Sequence, residues 1–400
     1  MCLQAPDSMP IMNTGNTNGD IPSITSNAPL WVNKNATQSR MYEYLQFVKE
    51  KYPQSDLKTD DYEDLYKWSI SDLNAFWSSI VDFCDLQFDG KFVPLKDPNA
   101  TVDSVPAWFD GATLNFTECL LNNNNNNKKK NILDNNPAVY SISEQSDQVG
   151  SCTFGELKRE IIKMALALEH MGIKPGDRVC AYAPNVRQVV VFALAAAAVG
   201  AVYAAASADF GPDAVIDRFL QIEPRVMLVG NGAFYNGRRH EQMAKVQTVL
   251  EKLPSVEKCI VVPVLDSVDV PADPKFVEYD QFIGKYETQQ YDKFTFTKFP
   301  FGHPLYIMFS SGTTGKPKCI VHSAGGTLIQ HMKEHTMHMD LRAGDVFLQF
   351  TLTGWMMWQW MITGLALGAA IVLHDGSPLK PDPIFLWSKI ADLRYFLNLL

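Results

Sequence analysis

The sequence lacks the cysteine patterns that hold together metal-bound and disulfide-bonded domains. Its 400 residues contain seven cysteines, an odd number at wide spacing, and no CxxC pair. We therefore expect neither a zinc site nor a disulfide framework. Each cysteine is interpreted as a small buried apolar thiol. This usage indicates a reducing compartment, and we predict a cytosolic protein.

Long runs of one charge are also scarce. The chain has 35 Lys and Arg against 44 Asp and Glu, a net charge of −9. An acidic chain without a basic stripe is a poor candidate for binding nucleic acid or an anionic membrane. The polar tract at 122–130, asparagines followed by lysines, is interpreted as a surface loop. A nucleic-acid patch is the weaker alternative because no aromatic residues are interleaved with it.

The N-terminal region has few features of a targeting segment. The first twenty residues lack a basic stretch followed by a continuous apolar core, so we expect neither a signal peptide nor an Arg-rich transit peptide. Their Asn, Thr, Gly and Ser content predicts a disordered tail over 1–40. Further on, Ser71 is suited to cap a helix that carries Phe76 and Trp77. We expect that aromatic helix to pack on a larger body.

Two uncharged apolar stretches, 188–208 and 346–373, are long enough to span a bilayer. Gly200 interrupts the first, and glutamines, threonines and glycines interrupt the second. Buried helix and strand units explain both better, because the inner strands of a parallel sheet are continuously apolar. We therefore predict no membrane span.

Helices and strands alternate from Thr153 onward. Thr153 and Glu156 have the spacing of a capping box, and Gly172 follows the last apolar residue of that helix. This alternation predicts an α/β fold in which layered parallel sheets are flanked by helices. Strands are expected at 178–183, 201–206, 226–229 and 259–262, and helices at 186–199, 213–222 and 241–253.

The strongest chemical signal is a loop that follows an apolar strand at 305–309. Its glycines let backbone N–H groups converge, and its hydroxyl and ammonium groups add donors, so it suits a polyphosphate. A flexible polar turn is the weaker alternative. The loop is not a Walker A motif, because Pro317 stands where that motif needs a magnesium-binding hydroxyl, and this disfavours a P-loop kinase. The loop residues are Ser310, Ser311, Gly312, Thr313, Thr314, Gly315, Lys316, Pro317 and Lys318.

The run SSGTTGKPK at 310–318 closely resembles the phosphate-loop signature of the acyl-adenylate-forming enzymes, a family that includes acyl-CoA synthetases and luciferases. GDRV at 176–179 resembles the family's early core. WFDG at 108–111 and LNF at 114–116 resemble the acetyl-CoA-synthetase branch where it enters its large domain. KCIVHSAGGT at 318–327, with TGWMMW at 353–358, resembles the acetoacetate-activating branch. The resemblance covers about residues 42–393.

The resemblance implies a two-step ligation. A carboxylate, expected to be acetoacetate, attacks the α-phosphate of ATP to give acyl-AMP and pyrophosphate, and the thiol of coenzyme A then displaces AMP. Loop donors and Mg²⁺ would stabilise the charge on the leaving pyrophosphate. The implied ATP contacts are Ser310, Ser311, Gly312, Thr313, Thr314, Gly315 and Lys318. The implied acyl pocket comprises Trp355, Met356 and Met357, and Arg238 is the implied contact to coenzyme A phosphate.

Other working parts of the family have no counterpart in the sequence. We find no aromatic-x-x-Thr-Glu segment, no ribose-binding Asp and no C-terminal domain with its adenylation lysine. We therefore assign no catalytic residue and predict an N-terminal extension at 41–135, a partial large domain at 136–393 and a divergent tail at 394–400. The open alternative is a truncated, non-catalytic chain that at most binds nucleotide or a partner.

Three histidines invite a metal interpretation. His331 and His335 are four residues apart and could share one face of a helix, near His338. There is no HExxH order and no evident third ligand, so we predict a surface helix over the phosphate loop and no protein metal site. A Ser-His-Asp triad stays open, although no GxSxG elbow is present. Trp358 and Trp360 are expected to be core residues, and the oligomeric state is not predicted.

Overall fold

The computed structural model describes residues 34–55, 57–97, 100–122, 134–266, 268–286, 294–310, 315–393 and 396–397. The predictions made for 1–33, for 123–130 and for most of the residues at 394–400 lie outside these described residues. Asn122 is the last residue of a helix rather than part of a loop.

The α-helices are short to medium in length and alternate with strands through most of the chain. In chain order they are α1 Arg40–Lys51, α2 Tyr62–Ser71, α3 Leu73–Phe83, α4 Phe116–Asn122, α5 Phe154–His170, α6 Arg187–Ala198, α7 Pro212–Phe219, α8 Met243–Lys252, α9 Tyr279–Ile283, α10 Ala324–Lys333, α11 Met356–Ile362 and α12 Phe385–Leu393. A π-helix at Glu334–His338 continues α10, and 3₁₀ turns occur at Ala36–Gln38, Pro53–Ser55, Val102–Ser104 and Thr363–Leu367.

The strands form two large sheets and two small ones. They are β1 Thr113–Leu114, β2 Pro137–Ser143, β3 Ser146–Thr153, β4 Arg178–Ala183, β5 Val202–Ser207, β6 Val226–Gly230, β7 Gly232–Tyr235, β8 Arg238–Glu241, β9 Lys258–Val262, β10 Phe276–Glu278, β11 Phe299–Pro300, β12 Pro304–Ser310, β13 Lys318–Ser323, β14 Val346–Leu348, β15 Ala370–Asp375 and β16 Phe396–Leu397. The first sheet has the order β10-β9-β6-β4-β5-β12-β13, and the second has the order β16-β14-β15-β2-β3.

The first sheet separates two apolar cores. On β4, Ala181 and Ala183 join the core that contains α5 and α6, whereas Cys180 and Tyr182 join the core that contains α7 and α8. Alternate side chains of a strand point to opposite faces, so a strand covered by helices on both sides is apolar throughout. This confirms the predicted α/β layers.

Both sheets are mixed rather than wholly parallel. β13 runs antiparallel to β12 at the edge of the first sheet, and β3 runs antiparallel to β2 at the edge of the second. Each of these pairs is a local hairpin, and a hairpin connection requires antiparallel strands. The expectation of parallel sheets therefore holds for the inner strands and fails at these two edges.

Local signals predicted one helix start correctly and another wrongly. The side chain of Thr153 accepts a hydrogen bond from the amide of Glu156, whose carboxylate accepts from the amide of Thr153, which confirms the capping box. The aromatic helix α3 is capped by Asp72, which accepts from Ala75 N at 2.9 Å, and not by Ser71. Asp and Ser are both favourable N-cap residues, and here Asp72 occupies the N-cap position.

The apolar stretches form the predicted helix and strand units. Residues 188–208 contain most of the buried helix α6 and all of strand β5, and residues 346–373 contain β14, α11 and most of β15. No helix within the described ranges has both the length and the apolar character that crossing a bilayer requires.

The N-terminal segment packs on the main body, as predicted for its aromatic helix. Phe76 and Trp77 contact the large core, and the ammonium group of Lys333 lies 5.9 Å from the centroid of the Trp77 ring. The predicted tail extends too far, however, because Ser39 caps α1 and Arg40 N donates to the Asp340 carboxylate at 2.9 Å.

Most of the described cysteines are buried free thiols, as expected. Cys319 is the exception and is exposed. It lies on β13, an edge strand whose residues 318–321 face solvent. Its interpretation as a core residue is therefore wrong, because an edge strand next to a loop has fewer neighbours than an inner strand.

Candidate active site

The predicted phosphate loop is the turn of a β-hairpin. β12 and β13 pair so that Ser310 lies opposite Lys318 at the end of the ladder next to the turn. Ser311, Gly312, Thr313 and Thr314 lie outside the described residues. Gly315 has φ +150°, a conformation that favours glycine, and the side chains of Lys316 and Lys318 are exposed. The hairpin thus brings two ammonium groups and the Ser310 hydroxyl to its tip.

The hairpin tip lies at the carboxyl edge of the first sheet. β12 is parallel to β5, with Tyr306 opposite Tyr203 and Ile307 opposite Ala204. Carried three residues further, the same register brings Ser310 level with Ser207. Gln221 Nε2 also donates to Pro317 O at 3.0 Å, which fixes the far side of the turn. Ligands of open α/β sheets bind beyond the carboxyl ends of the strands, so this edge is the expected place for a site.

The second sheet reaches the same edge through the segment after β14. Thr353 Oγ1 donates to Ala183 O at 3.1 Å, and Gly354 N donates to Ser207 Oγ at 3.4 Å. A Cβ atom on Gly354 would lie 3.3 Å from Ala205 O, so this backbone approach is close. The carboxyl ends of the two sheets therefore meet at Ser207 and Gly354.

A buried asparagine links the two sheets beside this junction. Asn185, just after β4, accepts a hydrogen bond on Oδ1 from Trp358 Nε1 at 2.8 Å. Its Nδ2 donates to Thr351 O at 3.5 Å and to His374 O at 3.4 Å. The Trp358 ring is fully buried and stacks on Tyr203. This confirms that Trp358 is a core residue, and Trp360 is buried as well.

The predicted acyl-pocket residues lie at the start of α11. Trp355 is 59% exposed and Met356 is 41% exposed, whereas Met357 is half-buried. The structure thus places Trp355 and Met356 at the surface next to the junction, directly after Gly354. Large apolar side chains that stay accessible beside a cluster of polar groups are typical of ligand sites.

Arg238 lies on an exposed β-hairpin. The hairpin comprises β7 and β8, and Asn236 and Gly237 form its turn with positive φ at both positions, as a two-residue hairpin loop requires. Arg238 does not lie at the start of a helix, because α8 begins only at Met243. Gly237 N donates to Glu144 Oε1 at 3.1 Å, which attaches the tip of the hairpin to the second sheet.

Glu144 also accepts a hydrogen bond from Ser377 N at 3.1 Å, so its carboxylate joins the hairpin tip to the loop after β15. Burial, with the charge of Glu144 as a further cause, raises the pKa of Asp375 to about 7. A buried carboxyl next to a carboxylate favours its neutral form. Asp375 therefore titrates near neutral pH.

Two of the three histidines are buried in the core rather than exposed at the surface. His331 Nδ1 and His335 Nε2 lie 3.1 Å and 2.9 Å from Thr363 Oγ1, and both rings are buried, whereas His338 is exposed. Burial lowers the pKa of His331 to about 3 and that of His335 to about 4. The prediction of a surface helix is wrong for His331 and His335. Within the described part of the chain, no three His, Cys, Asp or Glu side chains are grouped as a metal site requires.

A cavity of about 630 Å³ lies away from the phosphate hairpin tip. It separates the N-terminal segment from α10 and is lined mainly by apolar side chains, including Trp77, Trp108, Phe301, Val321 and Ile329. Val321 and Ser323, which also line the cavity, lie toward the end of β13 that is remote from Lys318. Its lining offers few polar groups that could bind a phosphate.

Sequence reasoning missed the residues that hold the site together. Asn185, Ser207 and Thr353 contact partners that are 173, 147 and 170 residues away. The available signal was the position of Asn185 and Ser207 directly after or at the end of apolar parallel strands, where polar residues commonly face a ligand crevice.

The geometry defines an α/β protein whose predicted phosphate loop lies in a hairpin at the carboxyl edge of its sheet, and sequence comparison shows its family. The model of the AMP-binding enzyme family matches residues 129–396, and that of the acetyl-coenzyme A synthetase N-terminus matches residues 62–119. The chain belongs to the AMP-binding enzyme family, an enzyme family that contains the acyl-CoA synthetases.

Within that family the chain is similar to acetoacetyl-CoA synthetases. It is 42% identical to that of Macaca fascicularis over 84% of this chain and 49% of the relative, and 42% identical to that of Danio rerio over 84% and 50%. The solved acetoacetyl-CoA synthetase of Streptomyces lividans superposes with a TM-score of 0.80 at 34% identity, over 90% of this chain and 52% of that one. The chain spans about half the length of the relatives it matches.

Proposed function

We propose that this chain carries the nucleotide-binding and acid-binding part of an acetoacetate:CoA ligase. In the proposed reaction an acetoacetate oxygen attacks the α-phosphate of ATP, which forms acyl-AMP and releases pyrophosphate. The thiolate of coenzyme A then attacks the acyl carbon and releases AMP. The observation that carries this proposal is the junction of Ser207 with Gly354, which brings the phosphate hairpin and the exposed Trp355 to one edge.

The phosphate hairpin is the proposed contact for the triphosphate. Ser310 and Lys318 are paired next to its turn, and the exposed Lys318 ammonium can donate to a phosphate oxygen. Charge-assisted hydrogen bonds of this kind are the stronger ones. Gly315 gives the turn the freedom to bring backbone N–H groups toward the same ligand. Ser311, Gly312, Thr313 and Thr314 are proposed to complete the donor set.

The start of α11 is the proposed acid pocket. Trp355, Met356 and Met357 offer an aromatic face and two flexible thioethers, which adapt to a short chain longer than acetate. Their position next to Gly354 is what supports this role.

Arg238 is the proposed partner of a phosphate of coenzyme A. It is exposed on β8, and a guanidinium matches the geometry of phosphate oxygens. The turn of its hairpin is fixed through Gly237 and Glu144, so the arginine is presented on an ordered element.

Mg²⁺ is proposed to enter with ATP. Magnesium is commonly held by one or two carboxylates together with substrate phosphates rather than by a protein cage. The described residues offer no cluster of three ligating side chains.

The proposed organisation has an N-terminal extension at 41–135 and a large domain at 136–393. The family matches at 62–119 and 129–396 support this division. A cytosolic location is also proposed, and the free thiols of the described cysteines support a reducing compartment.

The test is exchange of labelled pyrophosphate into ATP by the 400-residue chain. We expect exchange that depends on acetoacetate, is weaker with acetate and butyrate, and is lost in Lys318→Gln. Lys316→Gln is the matched control, because Lys316 is also exposed and lies in the same turn, two residues before Lys318. Exchange that ignores the acid, or that survives Lys318→Gln unchanged, would contradict the proposed site.

A second candidate function is nucleotide binding without ligation. It would need only the hairpin where Ser310 lies opposite Lys318, without any contact to the acid. The same samples separate the two functions. ATP binding that is weakened by Lys318→Gln, without acid-dependent exchange, would support this alternative.

A further inference from the structure

We propose that Asn185 is a positioning residue that sets the shape of the acid pocket from the opposite sheet. This inference rests on the proposed function, since it concerns how Trp355 and Met357 are held. Asn185 itself contacts neither the hairpin tip nor Trp355; it acts through Trp358 and Thr351.

The side chain of Asn185 contacts both ends of the segment that carries the pocket residues. Oδ1 accepts from Trp358 Nε1 at 2.8 Å, and Nδ2 donates to Thr351 O at 3.5 Å. A further bond from Nδ2 to His374 O at 3.4 Å adds β15. A carboxamide supplies two N–H donors and an acceptor oxygen together, whereas a hydroxyl group supplies a single donor. Aspartate would lose both donors, and an aliphatic residue would lose every bond.

The segment between these two contacts is short and has little freedom. Thr353 and Gly354 are bonded to Ala183 and Ser207, and the Trp358 ring stacks on Tyr203. Trp358 lies in the first turn of α11, so the bond from its indole to Asn185 holds that turn, and loss of the bond frees the turn to shift. Met357 and Trp355 would move with it. Asn185 thus fixes the orientation of the pocket residues and not merely the stability of the core.

The phosphate hairpin is independent of this contact. Ser310 and Lys318 are held by the pairing of β12 with β13, and Pro317 is held by Gln221. Loss of the Asn185 contact should therefore change recognition of the acid and leave nucleotide binding unaltered. If Asn185 only stabilised the fold, its loss would not weaken recognition of the acid while sparing nucleotide binding.

The chain offers a matched control for Asn185. Asn231 is also a buried asparagine directly after a parallel strand, β6, and its side chain holds Leu265 O at 2.7 Å and the amides of Val264 and Leu265. It makes an equivalent set of hydrogen bonds at the same edge, away from α11. The variants are Asn185→Ala, Trp358→Phe, their combination and Asn231→Ala. Trp358→Phe keeps an aromatic ring and removes the indole N–H donor, so it serves if Asn185→Ala does not fold.

The first readout is hydrogen exchange of the amides at 353–358 in the full chain. We expect exchange there to rise about tenfold in Asn185→Ala and Trp358→Phe, and not in Asn231→Ala, because both variants lose the buried bond between Asn185 and Trp358. The combined variant should exchange no faster than either single variant. Unchanged exchange at 353–358 in both single variants would overturn the proposal, and this readout needs no bound acid.

The second readout is the ratio of affinities for acetoacetate and butyrate, measured by tryptophan fluorescence with ATP and Mg²⁺ present. We expect this ratio to fall about tenfold in Asn185→Ala and Trp358→Phe, with ATP affinity unchanged. A parent chain that binds neither acid would contradict the proposed function, and the exchange data would then decide the positioning role. If the parent prefers acetoacetate to butyrate, and the variants exchange faster at 353–358 but keep the parent's affinity ratio, the inference is overturned.

Discussion

The amide of Gly354 donates a hydrogen bond to Oγ of Ser207 at 3.4 Å. Ser207 ends β5 of the first sheet, and Gly354 follows β14 of the second. Through this contact the strand beside the phosphate hairpin is joined to the segment that carries Trp355. One hydroxyl group therefore connects the two halves of the proposed site.

Ser207→Ala should destabilise the chain modestly. The variant removes the acceptor of a buried hydrogen bond, for which we expect a loss of about 1 kcal/mol in the free energy of unfolding, measured by urea denaturation. Ser69→Ala is the control, since the Ser69 hydroxyl is exposed and bonds within its own helix. Equal stabilities for the parent and Ser207→Ala would contradict a structural role for the contact.

Truncation of the two tryptophans at the junction should change the stability of the chain by very different amounts. Trp358 is fully buried, so Trp358→Ala should cost about 3–5 kcal/mol of stability. Trp355 is mostly exposed, so Trp355→Ala should stay within about 0.5 kcal/mol of the parent. Chemical denaturation checks both values.

Trp355→Ala should nevertheless weaken acetoacetate binding, measured by calorimetry in the presence of ATP and Mg²⁺. Retention of the parent affinity would remove Trp355 from the pocket.

Local signals in the sequence predicted much of the fold, because their causes are local. The capping box at Thr153 and the apolar strand of β4 follow from residues that lie close together in the chain. The choice of Asp72 over Ser71 as a cap could not be decided, since both residues can accept the same hydrogen bond.

The arrangement of the candidate site was less accessible. The glycines and lysines of the loop predicted a phosphate site, but nothing near Asn185 in sequence indicates Trp358, which lies 173 residues further on. The burial of His331 and His335 was missed for the same reason, because their partner Thr363 belongs to another helix. Contacts between distant elements depend on the packing of whole sheets, which periodicity does not encode.

Stability should fall as the pH decreases below neutral. Burial lowers the pKa of His335 and His374 to about 4 and that of His331 to about 3, while these groups in the unfolded chain titrate near 6.5. The unfolded chain therefore gains protons first. This contribution is complete above about pH 6.5 and is lost as the pH falls toward the folded values.

Asp375 opposes this trend, because burial and Glu144 raise its pKa to about 7. Between its ordinary value and about 7, its folded form holds a proton that the unfolded chain has released. Between about pH 6.5 and pH 5, the free energy of unfolding from urea denaturation should decline by about 1 kcal/mol per pH unit for each histidine, with Asp375 offsetting one of them. The decline should be shallower in His335→Gln, and an identical slope in that variant would contradict the assignment.

Arg238→Ala should weaken binding of coenzyme A about tenfold, as the loss of a charge-assisted hydrogen bond to phosphate would. Arg239→Ala is the matched control on the same strand, because the Nη2 of Arg239 donates to Asp266 O at 2.6 Å. Its affinity should stay close to that of the parent. Calorimetric titration with coenzyme A measures the affinity of all three chains. A greater loss of affinity in Arg239→Ala than in Arg238→Ala would contradict the assignment of the contact to Arg238.

The most direct test of the account is a crystal structure of this chain with a non-hydrolysable ATP analogue and Mg²⁺. We predict that the triphosphate lies in the turn between β12 and β13, with phosphate oxygens within hydrogen-bonding distance of Ser310 and Lys318. A nucleotide bound elsewhere, for example in the apolar cavity lined by Trp77 and Trp108, would contradict the account.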